Sequence, residues 1–173
     1  MKTSKLKWIS TTGGPLILMA KTSLAAWEGT GMEKFETWSD YDRACEVEDY
    51  LDVINVGDEK ALVLGDLPSH TASVVVDSST VLFIRWIWAN DENQVVDAIN
   101  EFSIEQQDWA NTDLEIRFSM GDIVLFDSSY TDESVEETLE MTIEPGAYTP
   151  RTLSYEPSPA INLFLILLQK RAG

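Results

Sequence analysis

The chain is poor in the residues on which most metal and redox chemistry depends. One cysteine among 173 residues, Cys45, excludes an internal disulfide and a thiolate metal cluster. One histidine, His70, excludes a multi-histidine zinc site. Any Ser-His-Asp or Cys-His arrangement would have to use His70. Its surroundings, Leu67-Pro68-Ser69-His70-Thr71, read as a loop without a nucleophile motif, so His70 is read as an ordinary loop or surface histidine. Cations are scarce as well, with 12 Lys and Arg against 30 Asp and Glu and a formal net charge of -18. A nucleic-acid binder needs cations to displace phosphate counterions, and an anionic membrane surface would repel such a chain. Neither nucleic acid nor membrane is therefore expected as a partner. Gly13-Gly14-Pro15 lacks the Lys and Ser/Thr of a phosphate loop and reads as a turn before a buried strand. Calcium-loop spacing of the Asp-x-Asp-x-Asp-Gly type is absent. No metal or cofactor is expected. Long apolar runs are missing too. Pro15 to Ala20 spans six residues and Ile161 to Leu168 eight. A secretory core needs about 7–15 and a membrane span about 20. The chain reads as cytoplasmic.

What is present is a globular composition, 44% apolar and 10% aromatic, enough for a core without staples. Strand signals dominate. Leu16 to Met19 follows a Gly-Gly-Pro turn; Leu51 to Val56 and Ala61 to Leu64 flank Gly57-Asp58 as a hairpin. Ser73 to Val76 and Val81 to Trp88 flank Asp77-Ser78-Ser79. Leu114, Ile116 and Phe118 alternate with charged residues, then Met120-Gly121-Asp122 turns into Ile123 to Phe126. Leu139, Met141 and Ile143 alternate again, Pro145-Gly146 leads into Ala147 to Tyr155, and Ala160 to Gln169 is the last strand. Helix signals are fewer. Thr22 to Trp27 is a short candidate. Ser39 with Asp42 forms a capping-box pattern for a helix to about Val47. From Asn90, read as the cap, to Phe102 a helix would carry Val95, Ile99 and Phe102 on one face. In the strand from Val81, Trp86 and Trp88 share a face with Leu82 and Ile84 that reads as core. Arg85 points the other way and needs a carboxylate partner if buried. The expected class is α+β, mainly antiparallel β, with one or two packing helices.

A weak internal repeat runs through the chain. Gly14 to Met19 resembles Gly121 to Phe126, Ile54 to Gly57 resembles Ile143 to Gly146, and Thr80 to Ile84 resembles Asn162 to Ile166, in the same order. This predicts two related β-rich halves, 1–104 and 105–173, within one compact unit. Charge is unevenly spread. Residues 1–85 carry thirteen acids and eight bases, net -5, whereas residues 86–173 carry seventeen acids and four bases, net -13.

Two acidic constellations follow. The denser is Asp132, Glu133, Glu136, Glu137 and Glu140, with Glu144 beyond it. Like charges this close repel, and a basic partner would relieve that repulsion through charge-assisted hydrogen bonds. The alternative is a solvated acidic loop. The second is Glu48, Asp49 and Asp52 with Glu46, amid Tyr41 and Tyr50. Tyrosines among carboxylates suit a protein interface, or they cover the core at a helix end, which is the reading preferred here. Both groups are candidate partner-binding residues. No two of the thirty acids stand apart in an apolar setting, as a glycosidase pair would, so no catalytic residue is assigned.

Several segments, in shared order, resemble the immunity protein 21 family. They are Trp8-Ile9-Ser10-Thr11-Thr12-Gly13-Gly14-Pro15-Leu16-Ile17, Leu24-Ala25-Ala26-Trp27-Glu28-Gly29 and Asp40-Tyr41-Asp42-Arg43-Ala44-Cys45. Ala61-Leu62-Val63-Leu64-Gly65-Asp66 and the strand ending Arg85-Trp86 continue the likeness. So do Gly121-Asp122-Ile123-Val124-Leu125-Phe126-Asp127-Ser128 and Glu144-Pro145-Gly146-Ala147-Tyr148. The likeness covers roughly Trp8 to Lys170. It implies a cytoplasmic antidote in a bacterial polymorphic toxin system that binds and blocks a cognate toxin, with no enzymatic residues to carry over. The acidic balance agrees with a basic, nuclease-like toxin domain. The rival readings are a carboxylate-pair hydrolase acting on carbohydrate and a non-catalytic adaptor module.

Overall fold

The computed structural model describes residues 3–11, 13–30, 38–65, 68, 70–130 and 138–171. The strands among them are β1 (Trp8–Ile9), β2 (Leu16–Ala20), β3 (Leu51–Val56), β4 (Glu59–Leu64), β5 (Thr71–Asp77) and β6 (Thr80–Trp88). They continue with β7 (Ala110–Asn111), β8 (Ile116–Phe118), β9 (Asp122–Asp127), β10 (Leu139–Thr142), β11 (Gly146–Ser158) and β12 (Ile161–Lys170). The helices are α1 (Asp40–Cys45) and α2 (Glu92–Glu101), with 3-10 turns at Lys21–Ala26 and Ile104–Gln106. Two sheets form, and every pairing in them is antiparallel. A seven-stranded sheet runs β1-β5-β6-β12-β11-β7, with β8 also on β11, and a five-stranded sheet runs β10-β9-β2-β4-β3. The fold is thus the mainly antiparallel α+β class that the sequence predicts.

Why the central strands read as unbroken apolar runs is explained by the layering. Leu16, Leu18, Leu62, Leu64 and Leu125 of the smaller sheet meet Val81, Phe83, Ile166 and Leu168 of the larger. The alternate residues face outward, yet outward is not water. Leu82, Ile84, Leu163, Leu165 and Leu167 lie beneath Val95, Val96, Ile99 and Phe102 around α2. Ile17, Met19, Val63, Val124 and Phe126 lie beneath Leu24, Trp27 and Ala44. Four layers result: helix, sheet, sheet, helix. A strand covered on both faces has no polar side to alternate with, because each exposed polar residue there would be buried without partners.

Helix ends follow their caps. Ser39 accepts from the Asp42 amide while Asp42 accepts from the Ser39 amide, so α1 begins with the expected capping box. For α2 the cap is Asp91, not Asn90: its carboxylate accepts from the Gln94 amide at 3.0 Å. Asp91 serves because it stands one residue nearer the first helical turn, where a side chain can reach the third amide. Trp88, expected in the core, is 53% exposed. It lies at the far end of β6, beyond the reach of α2, which covers Leu82 and Ile84.

The segments 1–104 and 105–173 each give strands to both sheets. At the centre of each sheet the neighbours come one from each segment, β2 with β9 and β6 with β12. Outside them lie β4 and β10 in one sheet, β5 and β11 in the other. The match of Gly14–Met19 to Gly121–Phe126 sets Leu18 on Leu125, and these two residues pair directly. The match of Thr80–Ile84 to Asn162–Ile166 sets Phe83 on Leu165. These face opposite sides of the sheet, so that match does not bring like-facing positions together. Ile54–Gly57 enters the β3–β4 turn whereas Ile143–Gly146 joins β10 to β11, so these two do not coincide.

Candidate partner-binding surface

Strand β3 is an edge of the five-stranded sheet, and the second acidic constellation lies on it and on the segment leading to it. The β3–β4 turn has two central residues, Gly57 and Asp58, with Gly57 at φ +58, a conformation that favours glycine at the first of them. That geometry makes Val56 and Glu59 a hydrogen-bonded pair. The amides and carbonyls of Leu51, Val53 and Asn55 therefore point away from β4. Two of these outward groups are engaged. Asp52 Oδ1 accepts from the Val53 amide at 2.7 Å, and the Arg43 guanidinium donates to the Asn55 carbonyl at 3.2 Å. Arg43 is held by the Trp38 carbonyl at 3.0 Å and by an ion pair with the buried Asp40 carboxylate. Capping of this kind blunts an edge against pairing with another strand.

Glu46, Glu48 and Asp49 are exposed on the segment between α1 and β3, and Asp52 is exposed on β3 itself. The segment is anchored below. The Gly65 amide donates to the Tyr50 carbonyl at 3.0 Å, and a Cβ on Gly65 would lie 3.0 Å from the Asp49 carbonyl oxygen. Glycine at this point lets the segment pass close over the end of β4. The acids form a ridge with a concavity on either side. One is open toward α1 and lined by Trp38, Arg43, Val47 and Ile54 with the ridge acids. The other lies against the inner face of the larger sheet and is lined by Asp49, Tyr50, Asp52, Thr152 and Phe164. Trp38 is 59% exposed and Tyr50 64%, so each concavity carries an exposed aromatic beside the acids. Tyr50 therefore does not cover the core, contrary to the preferred sequence reading. Its ring lies on that of Phe164, 5.2 Å between centroids, over the open end of the space between the sheets. Tyr41 is half-buried and donates to the Gly13 carbonyl at 3.1 Å.

Glu140 lies elsewhere. It is on β10, the opposite edge of the same sheet, four strand spacings from β3, or about 19 Å. Its carboxylate is 2.7 Å from the Lys21 ammonium. Glu144 accepts from Lys170 Nζ at 2.8 Å and Ser78 Oγ at 2.7 Å, which hold its carboxyl below the usual carboxylate range, Lys170 first. It ties the β5–β6 turn to the start of β11. Asp132, Glu133, Glu136 and Glu137 lie outside the described residues. The structure thus groups Glu48, Asp49 and Asp52 and sets Glu140 apart from them. Sequence reasoning missed Trp38, Thr152 and Phe164, which carry no local signal of a site.

His70 is exposed, stacks on Trp8 at 4.7 Å and shares a hydrogen bond with Ser10 Oγ at 2.7 Å. Among the described residues no group of three or more His, Cys, Asp or Glu is placed to hold a metal ion, and no helix is long and apolar enough to cross a membrane.

A sequence profile of the family described as Immunity protein 21 matches residues 7–160. The chain belongs to the immunity protein 21 family. Comparison with curated proteins and with solved structures gives no match. The match to immunity protein 21 takes in β1 through β11 and stops just before β12, so it includes the whole acidic ridge and both helices.

Proposed function

We propose that this member of the immunity protein 21 family neutralises a cognate toxin by binding it one to one, with the acidic ridge of Glu48, Asp49 and Asp52 set against a cationic, nuclease-like active cleft. The observation that carries this reading is the ridge itself, carboxylates raised between two concavities, each holding an exposed aromatic. Interfaces draw their energy from a few aromatic and charged anchors, and surrounding like charge steers encounter with a partner of opposite sign. A net charge of -18 supplies that steering. The other acidic run, Asp132, Glu133, Glu136, Glu137 and Glu140, would widen the field. Inhibition is by occlusion: the toxin's substrate is polyanionic and cannot share the cleft with these carboxylates. No catalytic step is required of the immunity protein, which acts in the cytoplasm of the cell that makes the toxin.

The test is co-purification with its cognate toxin domain, followed by calorimetry and stopped-flow association across a salt series. One-to-one binding, loss of toxin activity in the complex and an association rate that falls steeply with salt are expected. Glu48→Lys with Asp49→Lys should slow association and flatten its salt dependence. Reversing Glu136 and Glu137 gives the same readout for the other acidic run. A complex whose association ignores both salt and these reversals would refute electrostatic occlusion.

A further inference from the structure

We infer that the concavity between the ridge and the inner face of the larger sheet is a receptacle for one arginine side chain of the partner, an inference that rests on the reading of this protein as a toxin-binding inhibitor. Its form follows from the topology. Tyr50, just before the edge strand β3, reaches Phe164 of β12, and there Phe164 and Thr152 stay half-exposed on the inner face of the larger sheet. Thr152 and Phe164, both on that inner face, line it with Leu51 and Leu114, with the Tyr50 ring against Phe164 and with Asp49 and Asp52. The volume is about 340 Å³. That is the lower end of the ~300–1,000 Å³ typical of small-ligand sites, a size suited to a single side chain.

The lining selects a planar cation. Carboxylates in the lining repel phosphate and acidic peptides. An aliphatic side chain would strip water from Asp49 and Asp52 and return nothing to them. A guanidinium answers both halves of the lining at once. It stacks on an aromatic ring, donates in a fork to carboxylate, and sheds water more easily than an ammonium. Asp52 is prepared for this. One of its oxygens is held by the Val53 amide, which fixes the carboxylate and leaves the other oxygen to accept. The protein's own nearby cation does not fill the site. Arg85, the cross-strand neighbour of Phe164, is fully buried and donates to the Gly65 carbonyl at 2.5 Å and to Thr71 Oγ1 at 3.3 Å. Charge complementarity argues for a cation over a sugar, and the planar, weakly hydrated fork argues for a partner arginine over a lysine.

The experiment needs no toxin. The full-length protein, labelled with ¹⁵N, is titrated with N-acetyl-arginine amide at constant ionic strength, and N-acetyl-lysine amide and glucose are titrated in parallel. Saturable shifts centred on the amides of Tyr50, Asp52, Thr152 and Phe164 are expected with the arginine derivative, with weaker binding of the lysine one. Tyr50→Ala should weaken arginine binding about fivefold, the ratio an exposed cation–π contact supplies, whereas Tyr50→Phe should retain it. Asp49→Asn should weaken it as well. Tyr50 and Asp49 are exposed, so these variants leave the core intact. Overturning results are equal, unsaturable shifts over all acidic surfaces, undiminished binding by Tyr50→Ala, or glucose moving the same amides more than arginine does. If arginine binds here and no toxin is inhibited, the immunity mechanism falls and the receptacle stands. If a toxin is inhibited with full salt sensitivity while Tyr50→Ala and Asp49→Asn change nothing in either assay, the receptacle falls and the mechanism stands.

Discussion

Leu18 and Leu125 stand directly opposite one another at the centre of the five-stranded sheet, both fully buried and both facing the larger sheet. One comes from residues 1–104 and the other from residues 105–173, where β2 meets β9. Either leucine cut back to alanine leaves a cavity in the same layer of packing. Each single variant should lose about 2–5 kcal/mol of stability in urea denaturation. Because the two side chains share one site, the double variant should lose less than the sum of the two.

Arg85 gives a different kind of core position. It is buried in an apolar strand, and its guanidinium is a structural clamp on the Gly65 carbonyl and Thr71 Oγ1. Gly65 in turn holds Tyr50, so Arg85 supports the ridge from beneath. Hydrogen bonds from a charged donor are worth about 1.5–3 kcal/mol each. Arg85→Met should therefore destabilise by about 3 kcal/mol or more. Arg85→Lys should recover only part of that, because an ammonium lacks the planar fork. Denaturant melts of both variants provide the check, and NMR shifts at Tyr50 should report the loosened ridge.

Glu144 makes stability depend on acid. Hydrogen bonds from Lys170 and then Ser78 lower its pKa in the folded state. A depressed carboxyl contributes stability that is present above its unfolded pKa and is lost as pH falls through the folded one. Glu144→Gln should thus melt at a lower temperature than the parent at neutral pH. The difference should close as pH falls below the folded-state pKa, where Glu144 is protonated and neutral like the glutamine. Thermal melts across that range decide it; a gap that persists in acid would mean the residue acts by packing alone.

Tyr148 sets the limit on the alkaline side. Its ring is buried, its hydroxyl donates to the Glu144 carbonyl at 2.6 Å, and burial, with the nearby charges of Glu144 and Asp77, pushes its pKa up to about 12. The folded protein keeps this proton at a pH where the unfolded chain has lost it. Stability from this group is complete below the ordinary tyrosine pKa and falls away as pH rises toward 12. Tyr148→Phe should begin less stable by about 1 kcal/mol, for the lost hydrogen bond, and then lose less between pH 10 and 12. Denaturant midpoints at two alkaline pH values would show the crossing trend.

How much of this was legible in the sequence depends on the range over which each feature is specified. Turns and caps are local, so the Gly57-Asp58 hairpin and the Ser39–Asp42 box could be read directly. Two-faced burial is not local. The runs at Leu16 and Val81 identify strands, but only the packing of helical segments on both outer faces explains why Leu82 and Ile84 are as dry as Phe83. Trp88 reads as core from sequence because a strand's alternation does not reveal where its covering helix ends. The ridge was visible as a charge run. Its concavity was not, since Asp49 and Tyr50 meet Thr152 and Phe164 from more than a hundred positions away.

Glu140 and the ridge offer the sharpest contrast for the charge argument. Both are acidic and exposed, and they occupy opposite edges of one sheet. Glu140 already has a cation at 2.7 Å in Lys21, with both side chains about half exposed, so its charge is largely answered within the protein. Glu48 and Asp49 take part in no ion pair among the described residues, and they lie beside an exposed aromatic. Reversing Glu140 removes a surface pair worth at most about 1 kcal/mol and leaves Lys21 beside a new lysine, a local repulsion at an edge far from the ridge. Reversing Glu48 and Asp49 inverts the field where the partner's cations would arrive. Toxin association measured at low and physiological salt should therefore fall at least tenfold for the ridge variant, with the larger loss at low salt, and only slightly for Glu140→Lys. A greater loss from Glu140→Lys would move the interface to the β10 edge and onto the acidic run that precedes it.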